Sequence, residues 1–337
     1  MEQKYQEELK AEELEEKKKE SFLRHMLSWI GRNIKFLLIP GSRLEDLSRR
    51  EFEYEKTISK RKFIRRLKSI LTILGIFIVF SIITLAVLGP WIAPYTFEEA
   101  NGVYEGSWEP PSDAHPLGTT LFGRDVLARV IYGANASLRI ALPAITLAVI
   151  LGTIFGVIAG FYGGWIDTLI MRIADIIFAF PSIIFIIIII GMMGETRMEY
   201  IMLAISIFWT PFYARLIRGS VLQARELPYV QAARASGSGN WRLMFKHVLP
   251  NTIQPIIISF TFDIGGVILT IAGLSFLGFS DYRLIEWGND LNVARVHFYD
   301  AIWTMLFPGI MISLTVLGFM LVGDGLRDAL DPRLKNL

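Results

Sequence analysis

VQAARASGSGNWRLMFKHVLP runs from Val230 to Pro250, between two long apolar stretches of a 337-residue chain. Its basic charge, its glycines Gly237 and Gly239 and its closing proline mark it as a polar hairpin. Tyr229–Ser236 predicts a short helix behind Pro228, which suits a first helical position because the N–H it lacks would be unpaired there. Gly237 can take the left-handed conformation that ends such a helix. Ser238 or Asn240 offers a cap for a second helix. In that helix Trp241, Met244, Phe245, Val248 and Leu249 fall at helical spacing and form an apolar stripe. The stripe predicts burial against the rest of the protein. The Gly237 turn and the alanines of the first helix then face outward, beside an Arg-rich front. A basic loop carrying an interfacial helix fits the same residues.

The surroundings of the hairpin belong in lipid. The chain is 53% hydrophobic, with a mean hydropathy of +0.44, more apolar than a soluble domain of this size needs. A helix needs about 20 apolar residues to cross a bilayer core. Six segments qualify: 70–92, 139–161, 168–193, 200–219, 252–278 and 303–323. Lys and Arg gather at 56–68 and again from Arg215 to Lys246, whereas the loop 194–199 has one arginine and 279–300 has two. By the positive-inside rule, six spans with both termini in the cytoplasm place these basic loops inside. The segment 93–138 then lies outside. The expected fold class is an all-α membrane protein of six transmembrane helices, with a cytoplasmic loop between spans four and five.

Within the spans, Gly152, Gly156, Gly160 and Gly164 recur every fourth residue and predict close approach of a neighbouring helix. Pro181 and Pro255 predict local bends. Ionisable residues at membrane depth are few. Arg172 and Asp175, three apart on one helix face, are expected to pair as a structural feature. Asp263 has no partner on its own helix; it either meets a polar group on another span or lines a water-filled pathway.

Outside the spans, residues 1–20 carry eight Glu against five Lys and read as a solvated tail. Residues 22–38 place Phe22, Met26, Ile30, Ile34 and Leu37 near helical spacing among basic residues. Such a helix lies on the inner membrane surface or packs on the protein's own cytoplasmic face. The basic stretch before residue 69 leads into the first span as an interfacial elbow attracted to anionic lipid. The charged start carries no signal-peptide pattern, so the N-terminus is expected to stay in the cytoplasm. In the segment 93–138, Pro116 and Gly118 mark a turn and a helix is expected to resume from Phe122.

Several chemistries are excluded. There is no cysteine, and the four histidines lie outside the spans with no metal-pair spacing. No Gly-Lys dipeptide occurs, so there is no phosphate-binding loop of the Walker type. The chain is expected to hold no cofactor and no metal, to bind no nucleic acid and to be no enzyme. If ATP drives it, another chain must hydrolyse it.

Gln231-Ala232-Ala233, then Gly237, then Leu249-Pro250 resemble the EAA loop of binding-protein-dependent ABC importer permeases. HPLGTTLFGRDVLARVIYGA, MRIADIIFAFPS, LSFLG, EWGNDL and VGDGLRDALDPRLKN, in that order, are similar to the C-type permease of oligopeptide, dipeptide and nickel importers. The resemblance runs from about residue 70 to the end and leaves residues 1–69 as a separate N-terminal extension. It implies that Gln231, Ala232, Ala233, Arg234, Gly237, Leu249 and Pro250 form a coupling helix that docks on a cytoplasmic ATPase. The implied partners are a B-type permease, two ATPases that hold ATP and Mg, an extracytoplasmic solute-binding protein and membrane lipid. The implied cargo is a peptide, with nickel and oligosaccharides as alternatives within the family. Two departures stand out: Gln231 replaces the usual acid, and FSDYRLIEWGND lacks the Pro-Pro that often precedes WGN.

Two other classes compete. An ion-coupled secondary transporter would carry several buried carboxylates and broken-helix repeats, against the single deep Asp263. A membrane-anchored scaffold would place its function in the basic N-terminal region.

Overall fold

A computed structural model describes Leu67 and residues 69–330. The expectations for the acidic tail, the 22–38 helix and the basic elbow lie outside the described residues. Within them the chain is helical, with one isolated β-bridge between Thr119 and Asp125. Among the described residues five helices are long and apolar enough to cross a bilayer: α1 (Ile70–Ile92), α2 (Val126–Tyr162), α5 (Met198–Ala224), α9 (Gln254–Phe276) and α11 (Trp303–Leu330). A sixth span exists if the bent pair α3 (Gly164–Phe178) and α4 (Ser182–Met193) is counted as one.

The expected third span, 168–193, is therefore not a continuous helix. Its two halves meet at 94° around Ala179–Pro181. Pro181 cannot donate a backbone hydrogen bond, and its own ψ of 135° is extended, so the chain restarts as a helix only at Ser182. Pro255 produces no such bend. It sits in the first turn of α9, where its missing N–H leaves no bond unmade.

The second span is longer than its apolar core. Helix α2 begins at Val126 and not at Phe122, which stands in a left-handed conformation (φ 62°) within a 3₁₀ turn. Asp125 starts the helix by accepting the Ala128 N–H at 2.7 Å.

Helices α2 and α5 form the centre of the bundle, and the glycine stripe is their seam. A Cβ on Gly156 would lie 2.3 Å from the Ala214 carbonyl oxygen, and one on Gly152 2.5 Å from the Tyr213 Cβ. Gly160 meets Arg218 and Val221 in the same way. Gly164 is not part of this seam; its φ of 56° belongs to the turn between α2 and α3. Helix α1 packs on α11 through Gly75 and Gly318, while Phe77, Phe80 and Val87 point outward. In the bilayer such side chains meet lipid at no desolvation cost.

Polar pairs tie α3 to α5. Arg218 holds Asp167 through both carboxylate oxygens, at 2.5 and 2.6 Å. Asp175 does meet Arg172, but at 3.8 Å; its shorter partner is Arg215 of α5, at 2.6 Å.

Beyond the far end of α9, the stretch without Pro-Pro is organised by Asp281. Its carboxylate accepts the Met198 N–H at 3.0 Å, at the start of α5, and both N and Nε of Arg283. These bonds, led by Arg283, hold its pKa below the usual carboxylate range despite burial. A helix absent from the sequence reading follows, α10 (Trp287–Ala294). Glu286 caps it by accepting the Asn289 N–H, and burial pushes the Glu286 carboxyl upward. Trp287 is fully buried against Gly133, and its indole N–H donates to the Val130 carbonyl at 2.9 Å.

Candidate functional site

The hairpin is attached to the end of α5 and bolted to the end of α2. Arg225 Nη1 donates to the carbonyls of Gly160 and Phe161 at 2.8 and 3.3 Å. These are among the last carbonyls of α2, which have no partner inside their own helix. Helix α6 (Pro228–Ala235) then begins with Pro228 in its first turn, as expected, and Val230 buries its side chain completely. Gln231 Nε2 donates to the Glu226 carbonyl at 3.0 Å. A glutamate at this position would present acceptors only and could not make that bond. Gln231 therefore fixes the entrance of α6 from within the chain.

Gly237 ends α6 with φ 82°. Its N–H bonds the Arg234 carbonyl at 3.0 Å, and the Ser238 N–H bonds the Ala233 carbonyl at 3.1 Å. Together these form a complete Schellman closure. A Cβ on Gly237 would meet nothing within 4 Å, so conformation and not space calls for glycine here.

The second helix departs from its expected register. Neither Ser238 nor Asn240 caps it through its side chain; Gly239 stands at the cap of α7 (Asn240–Arg242). Next comes a π-helical turn, Leu243–Val248, and then α8 (Leu249–Thr252). A π turn holds more than 3.6 residues, so it rotates everything before it relative to everything after it. Leu243, Met244 and Val248 are buried, whereas Trp241 is 71% exposed. The predicted burial of the whole Trp241 stripe is thus corrected: its C-terminal part anchors the hairpin, and Trp241 turns outward with its ring tilted against Phe245, centroids 4.2 Å apart.

The outward face consists of Gln231, Ala232, Arg234 and Gly237 from the first helix and turn, joined by Trp241. Ala233 is half-buried against the core, and Arg234 lies over the Phe161 ring at 5.8 Å. Leu249 and Pro250 open α8, which leads into α9; Leu249 is half-buried and Pro250 exposed. The sequence reading missed Arg225 as the bolt to α2 and Trp241 as a surface group. A basic residue just past the end of α5 was a usable signal for the first. A π turn leaves no period from which the second could be read.

Asp263 is not part of the hairpin. It lies nine residues into α9, roughly 14 Å from that helix's start at 1.5 Å per residue. Tyr213 of α5, fully buried, donates its hydroxyl to Asp263 Oδ2 at 2.6 Å. The carboxylate thus meets a polar group on another span. Among the described residues no group of three or more His, Asp or Glu is placed to hold a metal ion.

Residues 152–336 match the family model described as binding-protein-dependent transport system inner membrane component. The chain is 42% identical over 288 residues to a dipeptide transport system permease protein of Alkalihalophilus pseudofirmus, covering 85% of this chain and 94% of that protein. It is 39% identical over 277 residues to a glutathione transport system permease protein of Pectobacterium atrosepticum, covering 82% and 90%.

Proposed function

The chain belongs to the binding-protein-dependent transport system inner membrane components, the permease subunits of ABC importers, and from that premise we propose that it forms a pathway for peptides together with a B-type permease. It is a multi-pass membrane protein, not an enzyme, and it works in a complex with other subunits. The names of the relatives, a dipeptide and a glutathione permease, support a short peptide as cargo.

In this reading two cytoplasmic ATPases bind ATP and Mg, and an extracytoplasmic solute-binding protein delivers the peptide. Both termini are cytoplasmic, residues 1–69 form an extension and the transmembrane domain begins at residue 70. The basic segment from Arg215 to Lys246, which contains the hairpin, faces the ATPases. Closure of the ATPases on ATP pushes on the hairpin, and differential affinity for inward- and outward-open states does the rest.

One observation carries the docking assignment: the hairpin presents Gln231, Ala232, Arg234 and Gly237 outward while Val230, Leu243, Met244 and Val248 root it in the bundle. A rigid, internally anchored projection can transmit a push, whereas a loose loop cannot. The test is Gly237→Asp in the full complex, with Gly237→Asn as a companion that tolerates the left-handed turn. The aspartate places a charge at the tip and is expected to abolish ATPase co-purification while the protein still inserts. Unchanged co-purification and uptake would overturn the docking assignment.

A further inference from the structure

The Tyr213–Asp263 pair is more than a satisfied polar contact. Tyr213 Oη engages Oδ2 alone, and Oδ1 has no hydrogen-bond partner among the described residues. No Lys, Arg or His makes an ion pair with Asp263 there. A carboxylate near the middle of a span is strongly disfavoured against lipid, so it turns towards water or towards a cation. Two further aromatic residues stand near its helix and its partner Tyr213. Trp209 covers Gly266, one helical turn beyond Asp263, at 3.5 Å from where a Cβ would stand. Phe212 meets the rings of both Trp209 and Tyr213 edge-on, at 6.1 and 5.2 Å, and is itself exposed. Glycine at 266 leaves room for the edge of the indole against α9, one turn from Asp263. A carboxylate edged by aromatic faces is the chemistry that binds an alkylammonium group, by charge and by cation–π attraction.

We propose that Asp263, held by Tyr213 and flanked by Trp209 and Phe212, is a membrane-depth site for the ammonium group of the transported molecule. The inference rests on the peptide reading above, since a short peptide brings an N-terminal ammonium into the pathway. Tyr213 keeps one oxygen engaged and leaves the other without a hydrogen-bond partner among the described residues, so the site is set before the ligand arrives. It is a waypoint and not a trap, because a single carboxylate with aromatic walls releases its ligand when the bundle rearranges.

The test uses the complete complex in proteoliposomes with its binding protein, and two probes, trialanine and N-acetyl-trialanine. Dicyclohexylcarbodiimide enters the bilayer as an electrophile. A carboxyl oxygen adds to its central carbon while a nitrogen takes the carboxyl proton, and the resulting O-acylisourea is expected to label Asp263. Trialanine should slow that labelling several-fold, and the acetylated peptide should not. Asp263→Asn should lower trialanine uptake at least tenfold while the second permease and the ATPases still co-purify. ATP-driven trialanine uptake by the unaltered complex is measured alongside. Uptake without protection, or equal protection by both peptides, overturns the ammonium site and leaves the permease reading intact. Loss of the second permease from the Asp263→Asn complex overturns it in favour of a countercharge on that subunit. Absence of trialanine uptake by the unaltered complex overturns the peptide reading and the site with it.

Discussion

Arg129 holds Asp290 across 161 residues of sequence, with Nε and Nη2 at 2.9 and 2.5 Å from the same carboxylate oxygen. Both side chains are buried, and Arg129 also donates to the Ala100 carbonyl at 2.9 Å. One guanidinium therefore joins the start of α2, the 98–101 turn and α10.

A buried pair of this kind responds asymmetrically to substitution. Arg129→Met leaves the Asp290 carboxylate buried and unpaired, at an expected cost of about 3–5 kcal/mol. The double substitution Arg129→Met with Asp290→Leu removes both charges and should recover most of that loss. Thermal unfolding of the purified protein in detergent, compared across the single and double variants, checks the pattern.

The α2–α5 seam makes a contrast between two glycines. Gly156→Ala would push a methyl carbon to 2.3 Å from the Ala214 carbonyl oxygen, so backbone must shift. The expected destabilisation is about 1–3 kcal/mol. Gly191 lies within α4 and its Cβ would meet nothing within 4 Å, so Gly191→Ala should be neutral or slightly stabilising through helix propensity. Equal effects at both sites, read from unfolding midpoints, would contradict the seam.

How far the sequence carried this structure depends on what kind of signal each feature leaves. Long apolar runs gave five spans to within a few residues at most ends, because burial in lipid needs only length and composition. Two helices outrun their apolar windows: α2, where Val126 to Leu138 continue the helix as protein core, and α11, which runs on from 323 to Leu330. The Gly237 turn was legible because only a left-handed residue makes that closure. Three features were not legible. The 94° break at Pro181 was visible as a proline but not in size, since the angle is set by how α3 and α4 pack on α5. Helix α10 was hidden because its anchor, Trp287 against Gly133, is a long-range contact. The outward Trp241 was hidden because a π turn breaks the period from which its burial was inferred.

Acid should loosen the junction between the 279–283 loop and α5. Asp281 has its carboxyl held below the ordinary range, chiefly by Arg283 and also by the Met198 N–H. A depressed folded-state pKa contributes stability that is complete above the unfolded value, about 3.9, and is lost as the pH falls through the folded value beneath it. Unfolding midpoints taken from pH 6 downward should therefore drop below about pH 4. Asp281→Asn should start lower and show a flatter acid limb. An acid limb of unchanged steepness in that variant would assign the loss to other carboxylates.

The last prediction separates anchoring from docking within the hairpin. Trp241 is 71% exposed and its ring contact is with Phe245, so Trp241→Ala should change the protein's own stability by no more than about 0.5 kcal/mol. Large exposed aromatics of this kind are common energetic anchors where one protein meets another. If the hairpin is the ATPase-docking element, the same substitution should weaken ATPase association by about 2 kcal/mol, roughly thirtyfold. Val248→Ala does the opposite kind of damage: its fully buried side chain anchors the π turn, so its removal should destabilise the permease itself. Titrating the ATPase against detergent-solubilised permease, with unfolding measured on the same preparations, distinguishes the two. Trp241→Ala that destabilises the isolated permease, or binds the ATPase unchanged, would return Trp241 to the role of a membrane-interface residue.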